Sequence, residues 1–90
     1  MNAHYFFPPA DAYPLNRCLF RLKSDPAYRR RFVADREAAM TEAALDTEAR
    51  AALTAFDRDR LVAAGAHPYL VFMADLRLKM ERAPAAFERF

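Results

Sequence analysis

Apolar residues recur along most of the chain at helical spacing. Leu15, Cys18, Leu19 and Leu22 fall at i, i+3, i+4 and i+7, while Arg17, Arg21 and Lys23 point elsewhere, which predicts a helix beginning at Tyr13. Ser24-Asp25-Pro26 ends that helix and starts the next, because aspartate suits the N-cap and proline the first helical position. Tyr28 and Phe32 open the inner side of the second helix, which continues through Ala39 and Ala43. Asp35 is placed to cap a restart, so this stretch reads as a helix, or as two with a bend near Ala34. Leu45-Asp46-Thr47-Glu48 is a further capping sequence, with acids where the helix dipole favours them. The helix it opens turns Ala49, Leu53 and Phe56 inward. Asp57 then caps a short helix holding Leu61 and Val62, and Gly65 ends it as the residue able to take a left-handed conformation without steric cost.

His67-Pro68 opens the last clear helix, which runs to Arg82 before Pro84 stops it. This helix is apolar on two sides. Tyr69, Phe72, Met73, Leu76 and Met80 form a stripe at helical spacing, assigned to the domain's own core. Val71 and Leu78 lie opposite and are assigned to contact with a second chain, since a helix apolar nearly all round needs cover on both sides. Ahead of the helices, His4-Tyr5-Phe6-Phe7-Pro8-Pro9 resists helix formation across its proline pair. Residues 1–12 therefore read as an extended aromatic arm that either folds back over its own core or docks on another chain through Tyr5, Phe6 and Phe7. Residues 13–90 read as one helical domain, with Phe87 and Phe90 near its end as further candidates for a partner interface. The expected fold is all-α, an irregular array of about five short and medium helices without a sheet.

Composition sharpens this picture. One glycine in 90 residues leaves few of the turns a sheet requires. Hydrophobic residues make up 54% of the chain, but much of that is alanine, so the eight Phe, four Tyr, four Met and the leucines must fill the core. A net charge of +2, with acids and bases interleaved, is a mild surface charge and not a nucleic-acid footprint. The lone Cys18 excludes an internal disulfide and any zinc spacing, and lies on the inward stripe as a buried, inert thiol; a reducing cytoplasm is the expected location. The N-terminus lacks the basic and apolar regions of a secretion signal. The longest apolar run, Ala66 to Ala74, is too short for a bilayer and is broken by His67 and Pro68.

Candidate chemistry is sparse. His4 and His67 are the side chains suited to metal binding or general base work near neutral pH, and neither has a carboxylate at helix spacing. His67 occupies a position where an N-cap belongs. There is no Gly-rich phosphate loop and no Ser-His-Asp order. Arg29-Arg30-Arg31 reads either as a grip for phosphate or an acidic partner, or as the solvated side of the Tyr28/Phe32 helix. Asp57-Arg58-Asp59-Arg60 is a solvated loop and cap. No complete catalytic site emerges.

The order of residues does carry a resemblance. Tyr13-x-Leu15-Asn16-Arg17, Arg31-Phe32-x-Ala34-Asp35-x-x-Ala38, Leu45 with a helix ending in Asp57, and Gly65-x-x-x-Tyr69 together resemble the small (alpha) subunit of protocatechuate 4,5-dioxygenase-type extradiol ring-opening enzymes, from roughly Tyr13 to Leu78. The resemblance implies an irregular helical subunit packed on a larger catalytic chain that holds a non-haem Fe(II) on two His and a carboxylate. The large subunit opens the ring; the small one helps cover the active site and carries no cofactor of its own. It also places His67 and Tyr69 as candidates near the active site. In fuller alpha subunits a segment after the helix matching Pro68–Arg82 supplies an aromatic near the substrate; no residue here matches it directly, and Phe87 and Phe90 are the stand-ins.

The leading expectation is a non-catalytic accessory subunit whose partner is a larger dioxygenase chain, with neither nucleic acid nor membrane involved. The alternative is a freestanding helical interaction module that keeps the fold without dioxygenase activity and self-associates or recognises another protein. A neighbouring reading frame with extradiol His and Glu ligands distinguishes the two.

Overall fold

The computed structural model describes residues 12–83. Six helices run through them: α1 (Tyr13–Ser24), α2 (Pro26–Ala34), α3 (Arg36–Glu42), α4 (Thr47–Ala55), α5 (Arg58–Ala63) and α6 (Pro68–Arg82). No strand occurs among the described residues, as an all-α fold requires.

Aspartates set the starts of α2 to α5. Asp25 accepts hydrogen bonds from the backbone N–H groups of Ala27 (3.0 Å) and Tyr28 (3.2 Å). Asp35 accepts from Ala38 (3.1 Å), Asp46 from Ala49 (2.8 Å), and Asp57 from Asp59 (3.0 Å) and Arg60 (3.2 Å). Each satisfies backbone donors that the first helical turn leaves open. The Asp25 carboxyl is held below its ordinary pKa, chiefly by the Tyr28 backbone N–H. Six helices replace the expected five or so because Asp35 leaves the helical region (φ −150°, ψ 87°) while its side chain caps α3. The stretch from Pro26 to Glu42 is thus two helices.

Three helices end in the same way. Gly65 (φ 104°) donates to the Val62 carbonyl (3.0 Å) and Ala66 to that of Leu61 (2.9 Å), the paired bonds of a Schellman turn. Ala44 (φ 60°) and Leu45 bond likewise to Thr41 and Met40, and Phe56 (φ 48°) and Asp57 to Leu53 and Ala52. Gly65 was legible in the sequence, but Ala44 and Phe56 bring a Cβ into the left-handed region at a steric cost of about 1–2 kcal/mol each. Ala44→Gly should therefore stabilise the domain by about 0.5–1 kcal/mol, and Gly65→Ala should destabilise it by about 1–2 kcal/mol. Urea midpoints at an unchanged denaturant slope check both.

The core gathers Leu15, Cys18, Leu19 and Leu22 of α1 with Tyr28, Phe32, Met40, Leu53 and Leu61, closed by one side of α6. The fully buried Tyr28 donates its hydroxyl to the Ala39 carbonyl (2.7 Å), lies 3.4 Å from Cys18 Sγ, and carries the Arg21 guanidinium 4.1 Å above its ring centroid. Desolvation pushes up the pKa of both the Tyr28 hydroxyl and the Cys18 thiol, so each stays protonated at neutral pH. Cys18 is the buried thiol its position on the apolar stripe implied.

The arginine run divides among three roles. Arg29 Nη1 donates to the Leu22 (2.9 Å) and Lys23 (3.3 Å) carbonyls at the end of α1, while its Nε meets Glu81 of α6 at 3.3 Å. Arg31 pairs with Glu42 at 3.1 Å, and Arg30 is exposed. Glu42 also accepts from Arg21 at 3.1 Å; the Arg31 hydrogen bond, helped by Arg21, outweighs desolvation and lowers the Glu42 carboxyl pKa.

The two sides of α6 are exchanged relative to the sequence assignment. Val71 and Leu78, expected at a second chain, lie in the domain's own core together with Ala74, at 2%, 1% and 0% exposure. Tyr69 and Phe72, expected inside, are 55% and 62% exposed, and Met73, Leu76 and Met80 are half-buried. The reason is volume. Leucines, Tyr28 and Phe32 already fill the interior, so α6 packs on α1 through its smaller Val71-Ala74-Leu78 side and leaves its bulky stripe outside.

Candidate functional site

The first turn of α1 and the α5–α6 turn are joined by one side chain. Asn16 Nδ2 donates to the Gly65 carbonyl (2.9 Å) and the Ala12 carbonyl (3.1 Å), and Asn16 Oδ1 accepts the His67 backbone N–H (2.8 Å). A half-buried amide is suited to this position because it donates and accepts at once. The two ends of the sequence pattern, Leu15-Asn16 and Gly65 to Tyr69, are thereby brought together. Asn16 is the residue whose role sequence reading missed; it stood in the pattern, but nothing local says that its partners lie 49 and 51 positions away.

His67 is the N-cap of α6, its Nδ1 accepting the Tyr69 backbone N–H at 3.1 Å. That is the structural role its position predicted. Tyr69 follows on the open side of the helix, with Phe72 one turn on. Their stripe continues through the half-buried Met73, Leu76 and Met80 to a cleft of about 240 Å³ lined by Arg29, Arg77, Met80 and Glu81. Among the described residues Arg77 Nε is the one buried side-chain polar atom without a hydrogen-bond partner. On the far flank Lys79 and Asp75 neutralise each other at 2.9 Å. Two more exposed aromatics, Tyr13 and Phe20, lie on the side of α1 turned from the core.

The remaining interface candidates, Tyr5, Phe6, Phe7, Phe87 and Phe90, lie outside the described residues. Among the described residues no group of three or more His, Cys, Asp or Glu side chains is placed to hold a metal ion, and no helix is long and apolar enough to cross a membrane. What the arrangement offers is a rigid helix with an apolar outer stripe and a basic flank. That equips it for contact with another molecule.

No curated protein and no solved structure matches the chain. The family described as the LigA subunit of the aromatic-ring-opening dioxygenase LigAB matches residues 15–88, a span that takes in five whole helices and nearly all of α1. The chain belongs to the LigA-subunit family of aromatic-ring-opening dioxygenases.

Proposed function

We propose that this chain, an accessory alpha-type subunit of an extradiol ring-opening dioxygenase, acts by covering or stabilising the iron site of the larger catalytic subunit while supplying neither metal ligand nor catalytic base. The family match over residues 15–88 carries this reading. In it, Fe(II) belongs to the partner, and the chemistry of ring opening with it. We assign His67 and Tyr69 to the neighbourhood of the substrate, a reading supported by their place at the end of α6 that Asn16 holds fixed. The helices from Tyr13 to Arg82 support the reading of one domain, with Ala12 buried as the N-cap of α1; the rest of the arm assigned to residues 1–12, and residues 84–90, lie outside the described residues. The complex is cytoplasmic, in keeping with the buried free thiol. Nucleic acid has no part in it, since Arg29 and Arg31 are engaged with Glu81 and Glu42.

The test is reconstitution with the large subunit from the same host. The chain alone should cleave no catechol. The large subunit alone should lose iron and activity faster than the mixture, by about tenfold in half-life, a change of about 1.4 kcal/mol in barrier. Ring cleavage by the isolated chain with stoichiometric iron, or a large subunit indifferent to its presence, would overturn the reading.

A further inference from the structure

The outer face of α6 is more specific than an apolar stripe. Tyr69 and Phe72 are both more than half exposed, and Met80 leads from them to the cleft holding Arg77. Aromatic, Met and Arg side chains are the types enriched where protein partners meet. The cleft contains two guanidiniums, of Arg29 and Arg77, and one carboxylate, of Glu81. Glu81 is bonded to Arg29 at 3.3 Å, and Arg29 is also held by the two carbonyls ending α1. Among the described residues the cleft therefore carries one net positive charge, that of Arg77, whose Nε is buried and without a hydrogen-bond partner. The other half-buried arginines, Arg21, Arg29 and Arg50, each have a carboxylate of this chain within 4 Å, whereas the described arginines that lack one besides Arg77 are exposed. The opposite flank is self-neutralised by Lys79 and Asp75, so it attracts no partner charge of either sign.

We propose that this face is where the catalytic subunit docks, laying an apolar patch over Tyr69 and Phe72 and bringing an Asp or Glu side chain to Arg77. The complement is set by charge: apolar along the stripe, acidic at one flank, neutral at the other. An incoming carboxylate would enter a partly desolvated cleft beside a fixed guanidinium, where a charge-assisted hydrogen bond gains most. The inference rests on the accessory-subunit reading for the identity of its occupant.

The experiment is a binding titration of the full chain against the large subunit of the same host, with circular dichroism of every variant as a folding control. Phe72→Asp should weaken association about a hundredfold and Arg77→Glu about tenfold or more, both with native helix content. Arg77→Lys should retain most of the affinity, and the loss on Arg77→Glu should shrink as salt is raised. If Phe72→Asp and Arg77→Glu bind like the wild type, the inference falls while the accessory-subunit reading stands. If the wild type does not bind the large subunit at all, that reading falls and takes the inference with it. Two other occupants have their own signatures, and either overturns the proposal. A second copy would appear as a wild-type dimer that Phe72→Asp makes monomeric; the chain's own arm would appear as tighter binding once residues 1–11 are removed.

Discussion

Leu78→Asp or Val71→Asp should unfold this domain, whereas Phe72→Asp should leave its helical circular dichroism and denaturation midpoint nearly unchanged. Leu78 and Val71 are 1% and 2% exposed, against 62% for Phe72 on the same helix. Truncating a buried leucine costs about 2–5 kcal/mol, and a carboxylate in its place adds a desolvation penalty of several kcal/mol more. A domain of this size has only about 5–13 kcal/mol of total stability to lose. An exposed substitution away from caps and buried networks changes stability by about 0.5 kcal/mol or less. The helical signal at 222 nm and urea titrations separate the two classes. If Phe72→Asp unfolded the chain and Val71→Asp did not, α6 would be turned half a revolution from its position here. The core would then rest on the aromatic stripe.

Asn16→Leu should lower the midpoint of thermal unfolding by about 10–20 °C although it removes no apolar contact. The substitution keeps the volume but deletes the donor to the Gly65 and Ala12 carbonyls and the acceptor for the His67 N–H. Stranding a part-buried backbone group costs about 1–3 kcal/mol, and each kcal/mol moves the midpoint of so small a domain by about 4–8 °C. Asn16→Asp gives the informative comparison. A carboxylate still accepts from His67 but faces two carbonyl oxygens without a proton to offer, so it should also be destabilising at neutral pH. Two facing carbonyls raise the pKa of the new carboxyl, and protonating it restores one donor, so part of its deficit should be recovered as the pH falls toward about 4, where the unfolded chain takes up its own proton. A midpoint unchanged by Asn16→Leu would mean that water satisfies these groups and that the amide is not what holds α6 to α1.

Much of the local structure follows from the sequence because its causes are local. Asp25, Asp35, Asp46 and Asp57 cap the helices that follow them since each side chain reaches a backbone N–H two or three residues ahead. The α1 stripe of Leu15, Cys18, Leu19 and Leu22 is buried as its spacing implies, because four apolar residues share that face while the opposite side mixes Arg17 with the exposed Tyr13 and Phe20. Gly65 ends α5 for a reason contained in its own backbone freedom. The left-handed residues Ala44 and Phe56 are the counterexample. Neither favours that conformation, and both adopt it where the following helix must turn back onto the core.

What the tertiary structure decided are the questions in which both local answers were equally good. Hydrophobicity marks two sides of α6 as apolar and cannot rank them; the room left by Tyr28, Phe32 and the leucines of α1 does, admitting Val71, Ala74 and Leu78 and leaving Tyr69 and Phe72 outside. Arg29, Arg30 and Arg31 are alike as neighbours in sequence, yet the 100° step of the helix sends Arg29 to the end of α1 and to Glu81, Arg31 to Glu42, and Arg30 to solvent. Asn16 and Arg77 differ by no local signal from other polar residues on a helix flank. Asn16 finds Gly65 and His67 only because α1 and α6 cross there, and the Nε of Arg77 is buried without a hydrogen-bond partner while Glu81, one turn on, meets Arg29. The sequence alone determined the helices, most of their ends and the family, because those depend on short-range geometry and on the order of residues. The side of α6 left open, and the charge beside it, depend on which bodies fill the same space, and that is decided only when the chain is folded.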